Sequence, residues 1–96
     1  MENNMLQKNG EYRLYQGRVA DQLDTDPYYG FHLTSTGWVY RVQIPEVSQV
    51  FLTGEFNNWN RTGDPMLSLE NGNWVVYLCG GDRLWPECRV ETIVIP

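Results

Sequence analysis

The sequence predicts an all-β fold in which two antiparallel sheets pack face to face, and three observations predict it. The chain carries four Trp, six Tyr and three Phe in 96 residues, and aromatic and β-branched side chains fit a pleated, half-buried surface. Its apolar runs are short and are separated by Gly, Pro, Asn and Ser clusters that suit tight turns. Within a run the side chains alternate, with Trp38, Tyr40 and Val42 against Val39 and Arg41, which is the period of a strand buried on one face.

Taken in order, residues 1–10 are polar, end in Asn9-Gly10 and are expected as a loose lead-in. Across residues 11–24, Tyr12, Tyr15, Val19 and Leu23 recur at a helical period, interrupted by Gly17, and predict one short helix. Pro27 ends it by pushing Asp26 out of the α region. Residues 1–27 are thus read as a lead-in with a short helix, and residues 28–96 as the sandwich. Phe31-His32-Leu33 and residues 38–44 flank Thr34-Ser35-Thr36-Gly37, a hairpin turn. Pro45 closes the second of these strands, because proline cannot donate to a ladder.

Residues 49–55 read as the central strand, and Val50, Phe51 and Leu52 in succession imply burial on both faces. Residues 61–65 are loop and 66–69 a short strand, followed by the Asn71-Gly72 pair of a tight hairpin. Residues 74–78 form a strand with Trp74, Val76 and Leu78 on one face. Gly80-Gly81-Asp82 is a turn, and residues 88–95 are the last strand. Seven strands or fewer, joined by turns and without a repeated unit, describe an immunoglobulin-like β-sandwich.

Composition narrows the function. Ninety-six residues suffice for one domain with a modest core. A formal net charge of −5, with only seven scattered basic residues, argues against a nucleic-acid surface. No apolar run approaches the roughly 20 residues of a membrane helix, and Met1-Glu2-Asn3-Asn4 does not resemble the start of a signal peptide. A cytoplasmic chain without membrane contact is expected. In that reducing setting Cys79 and Cys88 are expected as thiols, although a single bridge is open to them if they face each other on neighbouring strands.

Between the central strand and the 61–65 loop the chain reads Gly54-Glu55-Phe56-Asn57-Asn58-Trp59-Asn60. A pyranose has apolar C–H faces and a rim of hydroxyls, so a surface that holds one needs a flat ring flanked by amides. Trp59 with Asn57, Asn58 and Asn60 supplies both. The competing reading folds Trp59 into the core and leaves the asparagines to satisfy a tight turn. Asn57 stands between the two readings, free to fix the turn, to orient a sugar, or to do each in part. Gly54 lets the strand bend, Phe56 plugs the core, and Trp74 is a core residue. Trp85, between Leu84 and Pro86, is either a second sugar platform or a cover for the open end.

Catalysis is not expected. Asp21, Asp24, Asp26, Asp64 and Asp82 fall in turns or on polar faces, and His32 has no partner at metal-ligand or triad spacing. No metal and no cofactor is implied.

The run from Val50 to Trp59, followed by Pro65-Met66 and Gly72-Asn73-Trp74, resembles the N-terminal glycogen-binding module, carbohydrate-binding module family 48, of 1,4-α-glucan branching enzymes and isoamylase relatives. Tyr29-Gly30-Phe31-His32 and Thr36-Gly37-Trp38-Val39-Tyr40-Arg41 are similar to the strand pair that opens the same module. The resemblance implies a non-catalytic module that binds an α-glucan polysaccharide, glycogen or starch, by stacking Trp59 on glucose. In branching enzymes the bond-breaking carboxylates belong to a separate barrel downstream. The glycogen-binding domain of AMP-activated kinase β subunits has a related Phe-Asn-Asn-Trp turn and a lysine on a late strand. Aligning that strand places Glu91 or Arg89 near the lysine, and Arg89 is the candidate that keeps a donor there.

Two departures from the family carry expectations of their own. Ile44 replaces a core tryptophan, so packing at that end should differ. The chain also stops before the family's last hairpin, so either residues 88–95 take the final strand's place or one sheet edge is open. An open edge supports the rival reading, a scaffold that docks on a catalytic domain or a second copy without binding sugar.

Overall fold

In the computed structural model, which describes residues 10–78 and 85–96, seven strands form two antiparallel sheets among the described residues. They are β1 (Tyr12–Arg18), β2 (Gly30–Thr34), β3 (Gly37–Gln43), β4 (Gln49–Gly54), β5 (Leu67–Ser68), β6 (Asn73–Leu78) and β7 (Arg89–Ile95). One sheet has the order β1-β7-β4 and the other β2-β3-β6-β5. The chain changes sheet after β1, β3, β4 and β6, which gives the expected immunoglobulin-like sandwich.

The core follows from strand alternation. Val50 and Leu52 of β4 and Val90 and Val94 of β7 meet Phe31, Trp38, Tyr40, Trp74, Val76 and Leu78 of the facing sheet. Phe31 and Tyr40 stack with centroids 4.4 Å apart, and the Tyr40 hydroxyl crosses between the layers to Thr92 Oγ1 at 3.1 Å. Burial pushes the Tyr40 phenol up to about 12, with the Thr92 hydrogen bond pulling the other way. An unfolded tyrosine ionises near pH 10, so above that the unfolded chain sheds this proton while the folded chain keeps it. The stability is full below about pH 10 and is lost as pH rises through about 12, by roughly 2 kcal/mol at pH 11.5. Urea melts at pH 8 and 11.5 should show a clearly smaller loss in Tyr40→Phe than in wild type, the remainder coming from Tyr15, whose phenol is also pushed up by burial. An equal loss in both would place the alkaline weakness elsewhere.

The predicted helix over residues 11–24 is absent. Residues 12–18 are β1, paired along β7 from Tyr12↔Val94 to Arg18↔Arg89, and only Val19–Gln22 turns, as a short 3-10 segment. The helical spacing of Tyr12 and Tyr15 has a specific cause. The register jumps from Arg13↔Ile93 to Tyr15↔Thr92, so Leu14 is an inserted bulge residue, 44% exposed. The bulge moves the inward position from i+2 to i+3 and imitates a helix in the sequence. Gly17 belongs to the same arrangement, since a Cβ there would lie 2.5 Å from the Tyr15 hydroxyl folded over it.

Residues 89–95 do not stand at an edge, because β7 is the middle strand of its sheet, between β1 and β4. The outer side of β4 is covered as well: Leu52 N donates to Asp64 O at 3.0 Å and Met66 N to Val50 O at 2.8 Å. Phe51 and Ile93, on the face turned away from the core, are 8% and 2% exposed. Arg61, in the loop beyond β4, pairs with Glu11 at the start of β1 on the far side of that face. At the opposite end of the other sheet, Asn71 and Gly72 both adopt left-handed backbone, with φ 62° and 75°, and Leu69 N donates to Asn73 O at 2.7 Å. This is the tight hairpin the Asn-Gly pair predicts. Among the described residues no helix is long and apolar enough to cross a membrane.

Candidate functional site

β4 ends at Gly54, and the ring that follows it is placed by backbone hydrogen bonds. A Cβ on Gly54 would lie 2.4 Å from Arg89 O and 3.0 Å from the Val90 Cα, so only glycine lets β4 lie this close to β7. The chain then makes a 3-10 turn, Glu55–Asn57. Glu55 Oε1 accepts from Arg89 N at 3.0 Å, which ties the turn to the start of β7.

Asn57 organises the turn. Its Oδ1 accepts from Gly54 N at 3.0 Å and Thr53 Oγ1 at 3.3 Å. Its Nδ2 donates to Asn60 O at 3.2 Å and to Asp64 Oδ2 at 2.8 Å. A carboxamide has two lone pairs and two N–H donors on its side chain, so this one is fully committed to the protein. Of the uses open to Asn57 in the sequence, the geometry shows it fixing the turn. Asp64, which the sequence presented only as a solvated acid, supports it from the far side of the loop.

Asn58 and Trp59 follow in left-handed backbone, with φ 57° and 59°. That region suits Asn but is rare for a bulky side chain, and it costs Trp59 about 1–2 kcal/mol. The backbone is held there by Trp59 N donating to Gly54 O at 2.8 Å and Asn60 N to Asn57 O at 3.2 Å. The outcome is an indole 43% exposed, with no hydrogen bond from its ring N–H among the described residues. Trp38 and Trp74, by contrast, are each 6% exposed, and Trp74 Nε1 donates to Ile44 O at 3.1 Å. Phe56 is packed against the core from its edge, as expected.

The remaining candidates divide by position. Asn58 is exposed, and its side-chain amide makes no hydrogen bond among the described residues. Asn60 caps the next turn, its Oδ1 accepting from Thr62 N at 3.1 Å, and keeps its Nδ2 donors. Arg89 opens β7 one residue before Val90, the partner of Gly54, so its exposed side chain shares the end of the sheet that carries Trp59. Glu91 lies deeper along β7, 17% exposed and bonded to Arg13 at 3.3 Å. Arg89, and not Glu91, therefore stands at the end of β7 beside the Gly54 turn. Trp85 begins a 3-10 turn, Trp85–Glu87, just ahead of β7, but its side chain, like Cys79 and Asp82, lies outside the described residues.

The other polar groups have structural work. Both ring nitrogens of His32 are engaged, Nδ1 with Asp24 Oδ1 and Nε2 with Tyr29 O, each at 2.9 Å. Asp21 pairs with Arg18 at 3.4 Å. Among the described residues no group of three or more His, Cys, Asp or Glu side chains is disposed to hold a metal ion.

A half-exposed indole thus stands on a rigid turn with side-chain amides beside it. Residues 28–93 match carbohydrate-binding module 48, the isoamylase N-terminal domain. The chain is 37% identical over 51 residues to a 1,4-alpha-glucan-branching enzyme of Dictyostelium discoideum, an alignment covering 53% of this chain and 8% of that protein. The 1,4-alpha-glucan-branching enzymes of Felis catus and Equus caballus are also 37% identical over 51 residues, covering 52% of this chain and 7% of theirs. The chain spans less than a tenth of the length of these relatives. The matched family is a binding module without catalytic residues, and these 96 residues are not an enzyme. With 28–93 matched, the chain belongs to the carbohydrate-binding module 48 family.

Proposed function

We propose that the module binds α-glucan chains of the glycogen or starch type, with Trp59 stacking on glucose, Asn58 and Asn60 donating to its hydroxyls, and Arg89 reaching the same chain from the start of β7. Asn57 acts at one remove, by holding the turn. The observation that carries this reading is the left-handed backbone of Trp59, which spends conformational energy to keep a large ring outside the core. The names of the relatives, enzymes of 1,4-alpha-glucan, support the choice of polymer.

Covering roughly 100 Å² of indole is worth about 2.5 kcal/mol before ordering costs. One such platform gives a dissociation constant in the rough millimolar range. A polymer with many equivalent sites makes that useful through avidity.

In affinity gels, glycogen should retard the wild-type chain, and Trp59→Ala should lose most of that retardation. Trp59→Gly sharpens the test, because it also removes the left-handed strain. Its stability should equal wild type or exceed it by up to about 1 kcal/mol. A core ring removed this way would cost roughly 3–5 kcal/mol instead, and that result, or unchanged retardation, would overturn the assignment.

A further inference from the structure

A second aromatic surface lies at the other end of the sandwich. β4 starts at Gln49, just after β3 ends at Gln43, and runs roughly 17 Å to the turn that carries Trp59. Beside its starting end, an open groove of about 630 Å³ is lined by Tyr28, Ser68, Leu69, Glu70, Asn71 and Asn73. That volume is within the range of roughly 300–1,000 Å³ typical of small-ligand sites.

The groove is built before any ligand arrives. Tyr28 is 41% exposed, and the Arg41 guanidinium carbon lies 4.4 Å from its ring centroid. Tyr29 meets the same ring edge-on at 5.0 Å. The backbone beneath is clamped by Asp26 Oδ1, which accepts from Tyr28 N at 2.8 Å and Tyr29 N at 2.9 Å, and by Arg41 Nη1, which donates to Tyr28 O at 3.2 Å. Those backbone donors hold the Asp26 carboxyl below its usual range. On the opposite wall the Tyr29 hydroxyl donates to Asn73 Oδ1 at 2.7 Å, which fixes that amide and leaves its N–H groups to donate. Glu70 and Ser68 add acceptors, and Asn71 is locked in the hairpin turn with its carbonyl accepting from Gln43 Nε2 at 3.0 Å.

A fixed aromatic ring, an oriented amide donor and a carboxylate acceptor around an open groove repeat the chemistry of the Trp59 end with different residues. We propose that this groove is a second saccharide-binding site, taking one or two pyranose rings of a neutral glucan. The choice of ligand rests on the glucan reading above; the place of the site does not. Glu70 disfavours an anionic polymer, and the preset ring lowers the ordering cost of a weak ligand. With sites at opposite ends, one module holds two glucan chains, or two branches of one particle, and gains avidity on a branched polymer.

The test is an amide NMR titration of the whole chain with maltoheptaose. Two separate groups of resonances should shift, one around Asn58 to Asn60 and one around Tyr28, Asn71 and Asn73. Trp59→Ala should silence the first group alone. Tyr28→Ala should weaken the second about fivefold, the loss of about 1 kcal/mol of stacking, and leave the first within about twofold. If Tyr28→Ala does not fold, Glu70→Ala at an exposed position carries the same comparison. Shifts confined to the Trp59 group overturn the second site and leave the first standing. Shifts confined to the groove overturn the Trp59 assignment and keep the second site, and silence at both ends overturns both.

Discussion

Gly54→Ala should lower the melting temperature by roughly 10–20 °C. Backbone strain is not the cause, since φ at Gly54 is 168°, an extended value open to every residue. The cause is contact, because the new Cβ would sit 2.4 Å from Arg89 O and 3.0 Å from the Val90 Cα. Both are backbone atoms of the central strand of the sheet and have no rotamer with which to yield. Relief requires β4 to move off β7 at the Gly54↔Val90 pair. Overpacking of this kind costs about 1–3 kcal/mol, and a domain of this size loses about 4–8 °C per kcal/mol. Gly63→Ala is the control, since its Cβ would meet Asn60 Cγ and Nδ2 at 2.9 Å, side-chain atoms able to rotate away. Its melting temperature should fall by only a few degrees. Equal losses in the two variants would show that the β4–β7 approach does not limit stability.

The sandwich was legible in the sequence where its cause is local. Trp38, Tyr40 and Val42 alternate in the chain and face the core in the fold, Asn71-Gly72 turns as that pair must, and four buried residues in succession, Val50 to Thr53, confirm β4 as a strand covered on both faces. Local reading failed at β1, because one inserted residue, Leu14, changes the inward spacing from the period of a strand to one that fits a helix. Nothing in residues 11–24 announces the bulge; its evidence is the pairing with β7, most of the chain away. The site was legible in kind and not in detail. An exposed tryptophan among asparagines can be read from the chain, but the division of labour among those asparagines depends on Gly54 N, Thr53 and Asp64. The groove at the other end joins Tyr29 to Asn73 across 44 positions, a proximity no short motif records.

Asn57 allows position to be separated from contact at the Trp59 turn. In Asn57→Ala the Gly54 N–H and the fully buried Thr53 hydroxyl lose their acceptor, and Asp64 loses a donor. Unpaired buried groups cost about 1–3 kcal/mol each, so a loss of roughly 2–4 kcal/mol is expected, together with glycogen retention, although this amide has no capacity left to touch a sugar. Asn57→Asp tells more. It keeps the acceptor for Gly54 N and Thr53 but places a second carboxylate oxygen where Nδ2 now meets Asp64 Oδ2 at 2.8 Å. Two carboxylates this close cannot both stay ionised, so one of them titrates higher in the folded chain than in the unfolded one. The penalty is then full at neutral pH and lifts as pH falls through the raised value. Between pH 8 and 5, Asn57→Asp should regain stability and glycogen retention relative to wild type, while Asn57→Ala should regain neither. Parallel behaviour of the two variants would mean that Asp64 does not hold the turn. Recovery of retention in step with stability would show that the side chain holding the turn governs binding through the placement of the indole.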